Sequence, residues 1–456
     1  MKNNEQFKKL FRTMLKVLLV LSQTAVFAVL WETFYNEIIP MPYFRKGNWF
    51  FYLVYVIVLS LFLHAFDGLK YGVYRNGNLI TAQILATLAT LFIVYLQIVL
   101  LAYEFVSVLP LLLALVVDIA LSLIVAVGGN WLLYRVFPAR KPLIIFDEYS
   151  PDTFIEKLKT RKEKFEIGDI VNISVGIEKL EDVIKKSQAV ILYDIHSAKR
   201  NKILKICFEN DIKTYATTKV SDILVRGAST LHMFDTPLLL YRNIGLTAEQ
   251  RFIKRFMDIV VSLIGLIIAL PFMIVTALAI KLYDGGPIFY KQERLTFNGK
   301  KFFVYKFRSM IVNAESKSGA VLASKNDSRI TPVGKIVRAC RLDELPQFIN
   351  VLKGDMSLVG PRPERPEIAD DYYKTLPEFG YRLKIKAGLT GYAQLYGKYN
   401  TTPYDKLQLD LMYIQNYSFL LDIKLILMTV KIMFMKESTE GFTKENSKKI
   451  NENSKK

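Results

Sequence analysis

Two adjacent carboxylates, Asp343 and Glu344, sit in the stretch GKIVRACRLDELPQFINVLKGDMSLVGPRPERPE, residues 334–367. Arg338 and Arg341 lie just upstream, and a Gly-Pro-Arg-Pro turn at 360–363 follows. Carboxylates beside paired arginines and rigid turns suit phosphate chemistry. Between residues 291 and 365 there are 15 Lys and Arg against 7 Asp and Glu, an excess that fits a multiply charged anionic substrate. The two acids could share one Mg²⁺, which is bound by one or two carboxylates plus substrate phosphates.

The elements that must position these acids are legible in outline. Val333, Ile336, Val337 and Cys340 recur at helical spacing and predict a helix over 333–340. Asp343 then fits an N-cap, with Pro346 in a first turn where a missing N–H is harmless. A second helix is expected over 344–352, stopping at Gly354. That would put Asp343 at the positive end of a helix dipole, where a phosphate is also favoured. A plainer reading stays open, because Asp before a helix often serves only as a cap and Asp-Glu pairs are common on surfaces.

At 456 residues the chain has room for two or three domains. Hydrophobic residues make up 52% and aromatics 13%, which is high for a wholly soluble protein. The net charge of +19 indicates an anionic partner: nucleic acid, acidic lipid or a phosphorylated substrate. Cys207 and Cys340 have no metal-type spacing, so neither a disulfide nor a zinc framework is expected. His64, His196 and His232 are widely scattered and read as ordinary side chains.

Four apolar segments, about 15–31, 49–66, 82–103 and 106–137, each approach the length needed to cross the hydrocarbon core. No clear small-residue cleavage site follows the first, and further spans come after it, so it does not read as a signal peptide. Lys2, Lys8, Lys9, Arg12 and Lys16, then Lys70 and Arg75, then Arg135, Arg140 and Lys141 mark one side of the membrane. The positive-inside rule then places the N-terminus and everything after Lys141 in the cytoplasm. Asp118 is the one acid deep in a span and is expected to face a neighbouring helix.

From 142 to 225, short apolar runs at 143–146, 170–175 and 189–193 alternate with helical stretches near 153–164, 177–186 and 200–210. Alternation of this kind predicts an α/β domain with a parallel sheet. The first strand is followed by Asp147-Glu-Tyr-Ser-Pro151 rather than a glycine-rich phosphate loop, so a structural or regulatory module is expected. Residues 226–252 read as a connector.

The segment 253–286 carries an apolar core at 259–280, interrupted by Pro271 and basic on both flanks. A fifth crossing would place the Lys- and Arg-rich part outside, against the positive-inside rule. A helix-break-helix hairpin that dips in and returns is expected instead. Later, Gly388-Leu-Thr-Gly391 reads as a tight turn and 401–417 as a helix. Residues 420–435 read as a helix in the membrane interface or packed on a core, and 436–456 as a disordered tail.

Six pieces in order carry a resemblance. They are Pro287-Ile-Phe-Tyr-Lys-Gln-Glu-Arg294, Tyr305-Lys-Phe-Arg-Ser-Met310, Leu342-Asp-Glu-Leu-Pro-Gln347, the run 353–367, Gly388-Leu-Thr-Gly-Tyr-Ala-Gln394 and Leu409-Asp-Leu-Met-Tyr413. Together they resemble the bacterial sugar transferases, the polyprenyl-phosphate hexose-1-phosphate transferases or monotopic phosphoglycosyl transferases. The likeness is to the large form, with N-terminal transmembrane helices and a Rossmann-like module. The resemblance implies four transmembrane helices (1–141), a Rossmann-like α/β module (142–225), a connector (226–252) and a mainly α catalytic domain (253–435). A re-entrant membrane helix would occupy 253–286. Members often have Ser before the proline of that helix, where this chain has Leu270.

The implied reaction moves a sugar-1-phosphate from a UDP-sugar to undecaprenyl phosphate and releases UMP, the first step of capsule, exopolysaccharide or O-antigen assembly. Asp343 is then the nucleophile and Glu344 its partner or metal ligand, with Mg²⁺ as the cofactor held by the pair. Lys306, Arg308, Arg338, Arg341, Arg362 and Arg365 are placed around the phosphates, at least half of them touching substrate. The implied partners are the UDP-sugar, undecaprenyl phosphate and membrane lipid, not nucleic acid, with a homodimer left open. The implied location is the bacterial cytoplasmic membrane, with the active site facing the cytoplasm. Glucose or galactose is the family-level guess for the sugar. Two other classes compete: a transporter, which would need polar groups in several spans, and a membrane-anchored nucleotide sensor, which would rest on the α/β module.

Overall fold

Apolar helices dominate the first part of the chain. In the computed structural model these are α1 (Lys2–Leu30), running on through a π-helical turn to Tyr35, α2 (Lys46–Ala65), α3 (Asn76–Ala102) and α4 (Leu109–Val136). The described residues are 2–44, 46–233, 235–241, 245–312, 314, 327–397 and 401–433, and the tail expected at 436–456 lies outside them. All four helices are long and apolar enough to cross a bilayer, and their faces away from one another are lined with exposed Leu, Val, Ile and Phe. Between them Phe27 stacks on Tyr55, ring centroids 4.2 Å apart. One turn earlier, Gln23 donates to the Thr87 and Ser122 hydroxyls at 3.2 and 3.1 Å. Asp118 is buried among these helices.

The chain divides into two compact units, Met1–Thr218 and Lys219–Lys456. In the first, the helices are followed by β1 (Pro142–Phe146), α5 (Asp152–Lys159), β2 (Ile170–Asn172), α6 (Ile177–Lys186), β3 (Ala189–Tyr193), α7 (Ser197–Glu209) and β4 (Lys213–Ala216). The strands form one parallel sheet in the order β2-β1-β3-β4. The central strands β1 and β3 are almost fully buried, as continuous apolar runs in a two-sided parallel sheet should be. β2 stops at Asn172, where a 3₁₀ turn takes over from the strand expected to reach 175, because the Asn172 side chain accepts from Ser174 N–H and turns the chain. The sheet hangs from the helices by polar contacts, with Arg161 and Lys164 both donating to the Val73 carbonyl, at 2.6 and 2.7 Å.

The second unit begins with α8 (Val220–Arg226), so the α/β module gives way at 218/219 rather than at 225. Ile223 of α8 is buried in the second unit's core with Leu407, Leu411 and Ile414. A hairpin of β5 (Ser229–Met233) and β6 (Thr236–Leu240) follows, where only a connector was expected. A fragment starting at 219 should therefore be more stable than one starting at 248. Loss of buried Ile223 and Leu246 alone is worth about 2–5 kcal/mol per side chain, read as the gap between the two fragments' unfolding midpoints.

The long helix α9 (Ala248–Asp284) is capped at its start by Thr247, which accepts from Gln250 N–H, and at its end by Gly285 at φ 69°. It runs on through Pro271, where a break into two helices was expected. Neighbouring turns keep the helix going although the proline removes one N–H. Then come β7 (Phe289–Leu295) and β8 (Lys301–Phe307), an antiparallel pair, followed by α10 (Pro332–Ala339), α11 (Gln347–Lys353), β9 (Ser357–Val359), α12 (Pro366–Thr375), β10 (Gly388–Thr390), α13 (Tyr392–Tyr396), α14 (Pro403–Gln415) and α15 (Phe419–Met433). Gly388-Leu-Thr-Gly391 is not the expected tight turn. It forms strand β10, parallel to β9, and a Cβ on Gly388 would lie 2.1 Å from the Gly360 nitrogen. Glycine is required there by close backbone approach.

One side of α9 packs along the whole second unit. Lys254 pairs with Asp422 at 2.6 Å, Arg255 donates to the Val351 and Leu352 carbonyls at the C-terminus of α11, and Asp258 accepts from Ser357 and from Leu358 N–H. Further along, Ala269, Met273 and Ile280 share a core with Phe307 and Val337.

Candidate active site

α10 starts at Pro332 behind a Thr331 cap and ends at Ala339, close to the expected bounds. The chain then does something the spacing did not predict. Arg341 takes a left-handed conformation, φ 55°, and Leu342–Glu344 form a short 3₁₀ turn. α11 begins only at Gln347, with Pro346 in the capping position. Asp343 is therefore not an N-cap, and the cap reading falls. The stop at Gly354, φ 90°, is as expected. The turn sets the two acids on the edge of the β7–β8 pair, α10 and α11.

Glu344 is fully engaged. Its Oε1 accepts from Lys306 Nζ at 3.1 Å and Arg362 Nη2 at 2.8 Å. Burial works against its ionisation, but these two cations outweigh it and hold the carboxyl far below the usual range. Asp343 differs. Among the described residues no side chain hydrogen-bonds to its carboxylate. Burial and the neighbouring Glu344 charge push its carboxyl up, against Lys306, Arg338 and Arg362. Two adjacent acids thus have their titrations driven apart, one tied down as an anion and the other raised despite three nearby cations, a pattern of chemical sites.

Three of the six basic residues expected around the phosphates, Lys306, Arg338 and Arg362, bear on this pair. Lys306 arrives on β8, Arg338 on the last turn of α10, and Arg362 on the Gly-Pro-Arg-Pro turn. Arg308 follows β8 directly. It is buried, and its guanidinium makes a two-pronged ion pair with Asp284 at the end of α9. Arg365 is the residue just before α12 and its side chain lies 3.7 Å from Glu367, while Arg341 occupies the left-handed position.

A second charged cluster went unforeseen. Glu364 receives Lys406 and, at 3.3 Å, Arg382, and Arg382 also pairs with Asp410 at 2.7 Å. Burial opposes ionisation of Glu364, but Lys406 and Arg382 bring its carboxyl down to about 2. The signal in the sequence was Asp410, an acid among the apolar residues of Leu407-Gln-Leu-Asp-Leu-Met412.

As to Mg²⁺, Lys306 and Arg362 both donate to the same oxygen of Glu344, Oε1. Among the described residues no three His, Cys, Asp or Glu side chains converge, so the ion would need substrate phosphates and water to complete its shell. That suits Mg²⁺, which keeps several waters and seldom takes an all-protein cage.

Residues 249–436 match the bacterial sugar transferase family. A candidate undecaprenyl-phosphate N-acetylgalactosaminyl 1-phosphate transferase of Bacillus subtilis (strain 168) is 53% identical over 137 residues, 30% of this chain and 76% of the relative. The UDP-N-acetylgalactosamine-undecaprenyl-phosphate N-acetylgalactosaminephosphotransferase of Aeromonas hydrophila is 38% identical over 235 residues, 50% of this chain and 54% of the relative. The UDP-glucose:undecaprenyl-phosphate glucose-1-phosphate transferase of Klebsiella pneumoniae is 34% identical over 295 residues, 64% of this chain and 60% of the relative. The chain thus spans between half and two thirds of the length of these last two. With the carboxylate pair, its cations and the Gly-Pro-Arg-Pro turn all inside the matched region, the chain belongs to the bacterial sugar transferase family.

Proposed function

We propose that this membrane protein transfers a hexose-1-phosphate from a UDP-sugar to undecaprenyl phosphate and releases UMP. The observation that carries the reading is the contrast within the pair: Glu344 is locked to Lys306 and Arg362, whereas Asp343 is raised and left without a hydrogen-bonding side chain. An Asp343 oxygen attacks the phosphorus that bears the sugar, and the bond from that phosphorus to the UMP oxygen breaks, with UMP leaving with the electron pair. A phosphate oxygen of undecaprenyl phosphate then attacks the same phosphorus and the Asp343 O–P bond breaks, restoring the carboxylate. Lys306, Arg338 and Arg362 offset the charge that accumulates as one anion approaches another. Mg²⁺, held by Asp343 and Glu344 with the substrate phosphates, would supply further neutralisation. The α/β module, whose first strand leads into Asp147-Glu-Tyr-Ser-Pro151, serves structure or regulation and not the chemistry.

The site is proposed to lie at the cytoplasmic membrane surface, with α9 bending at Pro271 within its continuous helical run so that it enters the bilayer and returns. Both ends of α9 touch the same unit: Lys254 meets Asp422 near the start, and Asp284 meets Arg308 at the end. The opposite face is apolar and open, with Ile267, Ile268 and Val275 each more than 60% exposed. A helix crossing about 30 Å of hydrocarbon could not keep both ends on one soluble unit. Single cysteines at Glu249 and Lys300 should both be labelled by an impermeant thiol reagent only from the cytoplasmic side, in a background with Cys207 and Cys340 replaced. Labelling from opposite sides would make α9 a true crossing.

The function itself is tested by presenting a set of UDP-sugars with undecaprenyl phosphate to the protein in lipid. UMP release that requires both partners is the expected result, and the sugar that supports it identifies the donor. The fragment starting at 219 should retain this activity, and loss of activity in a folded fragment would place part of the chemistry in the first unit.

A further inference from the structure

The turn that presents Arg362 is gripped from behind. Every backbone carbonyl from Pro361 to Glu364 is held. Pro361 accepts from Gly388 N–H at 2.9 Å, Arg362 from Arg382 Nη2 at 2.8 Å, Pro363 from Arg294 Nη1 at 3.0 Å and Glu364 from Leu295 N–H at 2.9 Å. Arg382 is the hub. It is 2% exposed, and besides the Arg362 carbonyl it engages Glu364 and Asp410, while its guanidinium lies 4.8 Å over the Phe379 ring. A buried cation needs its anions, and Asp410, 1% exposed, has little else to justify its burial. A guanidinium presents its donors in a fixed fork, so Asp410 and Glu364 fix the direction in which Arg382 reaches the Arg362 carbonyl.

We infer that Arg382, aimed by Asp410 and Glu364, is a positioning residue that fixes the backbone of Arg362 so that its guanidinium stays on Glu344. Arg382 does not reach the carboxylate pair itself. The inference deepens the reading given under Proposed function, because it specifies what holds one of the cations near the reacting phosphate. A shift of about 1 Å in a positioned charge is enough to lower turnover about 10²-fold.

The test is a double-mutant cycle of Arg362→Gln and Glu344→Gln on thermal unfolding of the full chain in lipid nanodiscs, run in the wild-type and in the Arg382→Gln backgrounds. In the wild-type background the two substitutions should be non-additive by about 2–4 °C. In Arg382→Gln they should become additive. Because loss of Arg382 alone takes the ion-pair partner from buried Asp410, while Glu364 keeps Lys406, the cycle is repeated in Arg382→Gln/Asp410→Asn, which removes cation and anion together. Turnover is read in parallel: Arg382→Gln should lower kcat about 10²-fold with KM for the UDP-sugar changed less than threefold, and Arg382→Lys should recover part of the loss. Non-additivity that persists without Arg382 would overturn the inference, as would a KM effect that matches the kcat effect. A wild-type protein that shows the non-additivity yet releases no UMP from any UDP-sugar would instead leave the positioning intact and remove the proposed reaction.

Discussion

Asp343→Asn is expected to abolish turnover while leaving the fold at least as stable as the wild type. Loss of a covalent nucleophile lowers kcat by roughly 10⁴-fold or more. The stability expectation follows from the direction of its titration. Burial and Glu344 raise the Asp343 carboxyl above its unfolded value, so the folded protein binds that proton more tightly than the unfolded chain does. An acid raised in this way contributes stability below its unfolded pKa, and that contribution is lost as pH rises through the folded pKa. Above its unfolded pKa the Asp343 carboxyl is therefore a net cost to the fold, and Asn removes it. Tm should stay level or rise, a signature of a residue kept for chemistry at the expense of stability. The same shift gives labelling a pH dependence. The nucleophile is the carboxylate, so formation of the phosphosugar adduct should fail on the acid side at a higher pH than for an ordinary aspartate. A variant that melts well below wild type, or that keeps near-normal turnover, would remove Asp343 from this role.

Glu344→Gln should behave in the opposite way on stability. Here Arg362 and Lys306 outweigh burial and depress the carboxyl. A depressed acid contributes stability above its unfolded pKa, and that contribution is lost as pH falls through the folded pKa. Replacing it by a neutral amide leaves two cations without their anion, one of them about two-fifths exposed, so about 1–3 kcal/mol of destabilisation is expected. Turnover should fall about 10²–10³-fold, the scale seen when one preorganised charge is taken from a polar site. Wild-type stability should also decline more steeply on acidification than that of Glu344→Gln, which keeps only the contributions of the other depressed acids such as Glu364. A Glu344→Gln protein as stable as wild type would mean that the Lys306–Glu344–Arg362 contacts carry little energy.

How much of this was legible in the sequence depends on the range of the interactions involved. The apolar helices, the alternation of strands and helices, and the stop at Gly354 are written locally, and so they were readable. The conformation of Arg341 was not. A left-handed arginine is held by its surroundings, and it turned an expected cap into a 3₁₀ turn. β4 escaped because Lys-Thr-Tyr-Ala has no apolar run, as befits a strand at the edge of its sheet. In the sequence β10 reads as a turn because glycine marks both turns and close approach, and only the partner strand distinguishes them. The motif around Arg308 carries no sign of its ion pair with Asp284, 24 residues earlier. Arg362, Glu364, Arg382 and Asp410 meet across some 50 residues of chain, a convergence no local pattern announces.

The most direct measurement is to incubate the wild-type protein with labelled UDP-sugar and Mg²⁺ in the absence of lipid phosphate, then to map any labelled peptide by mass spectrometry. The account predicts release of a single equivalent of UMP and one phosphosugar adduct, on the peptide that carries Asp343 and on that residue. An adduct on any other residue, or UMP release that occurs only when undecaprenyl phosphate is present and leaves no adduct, would contradict it.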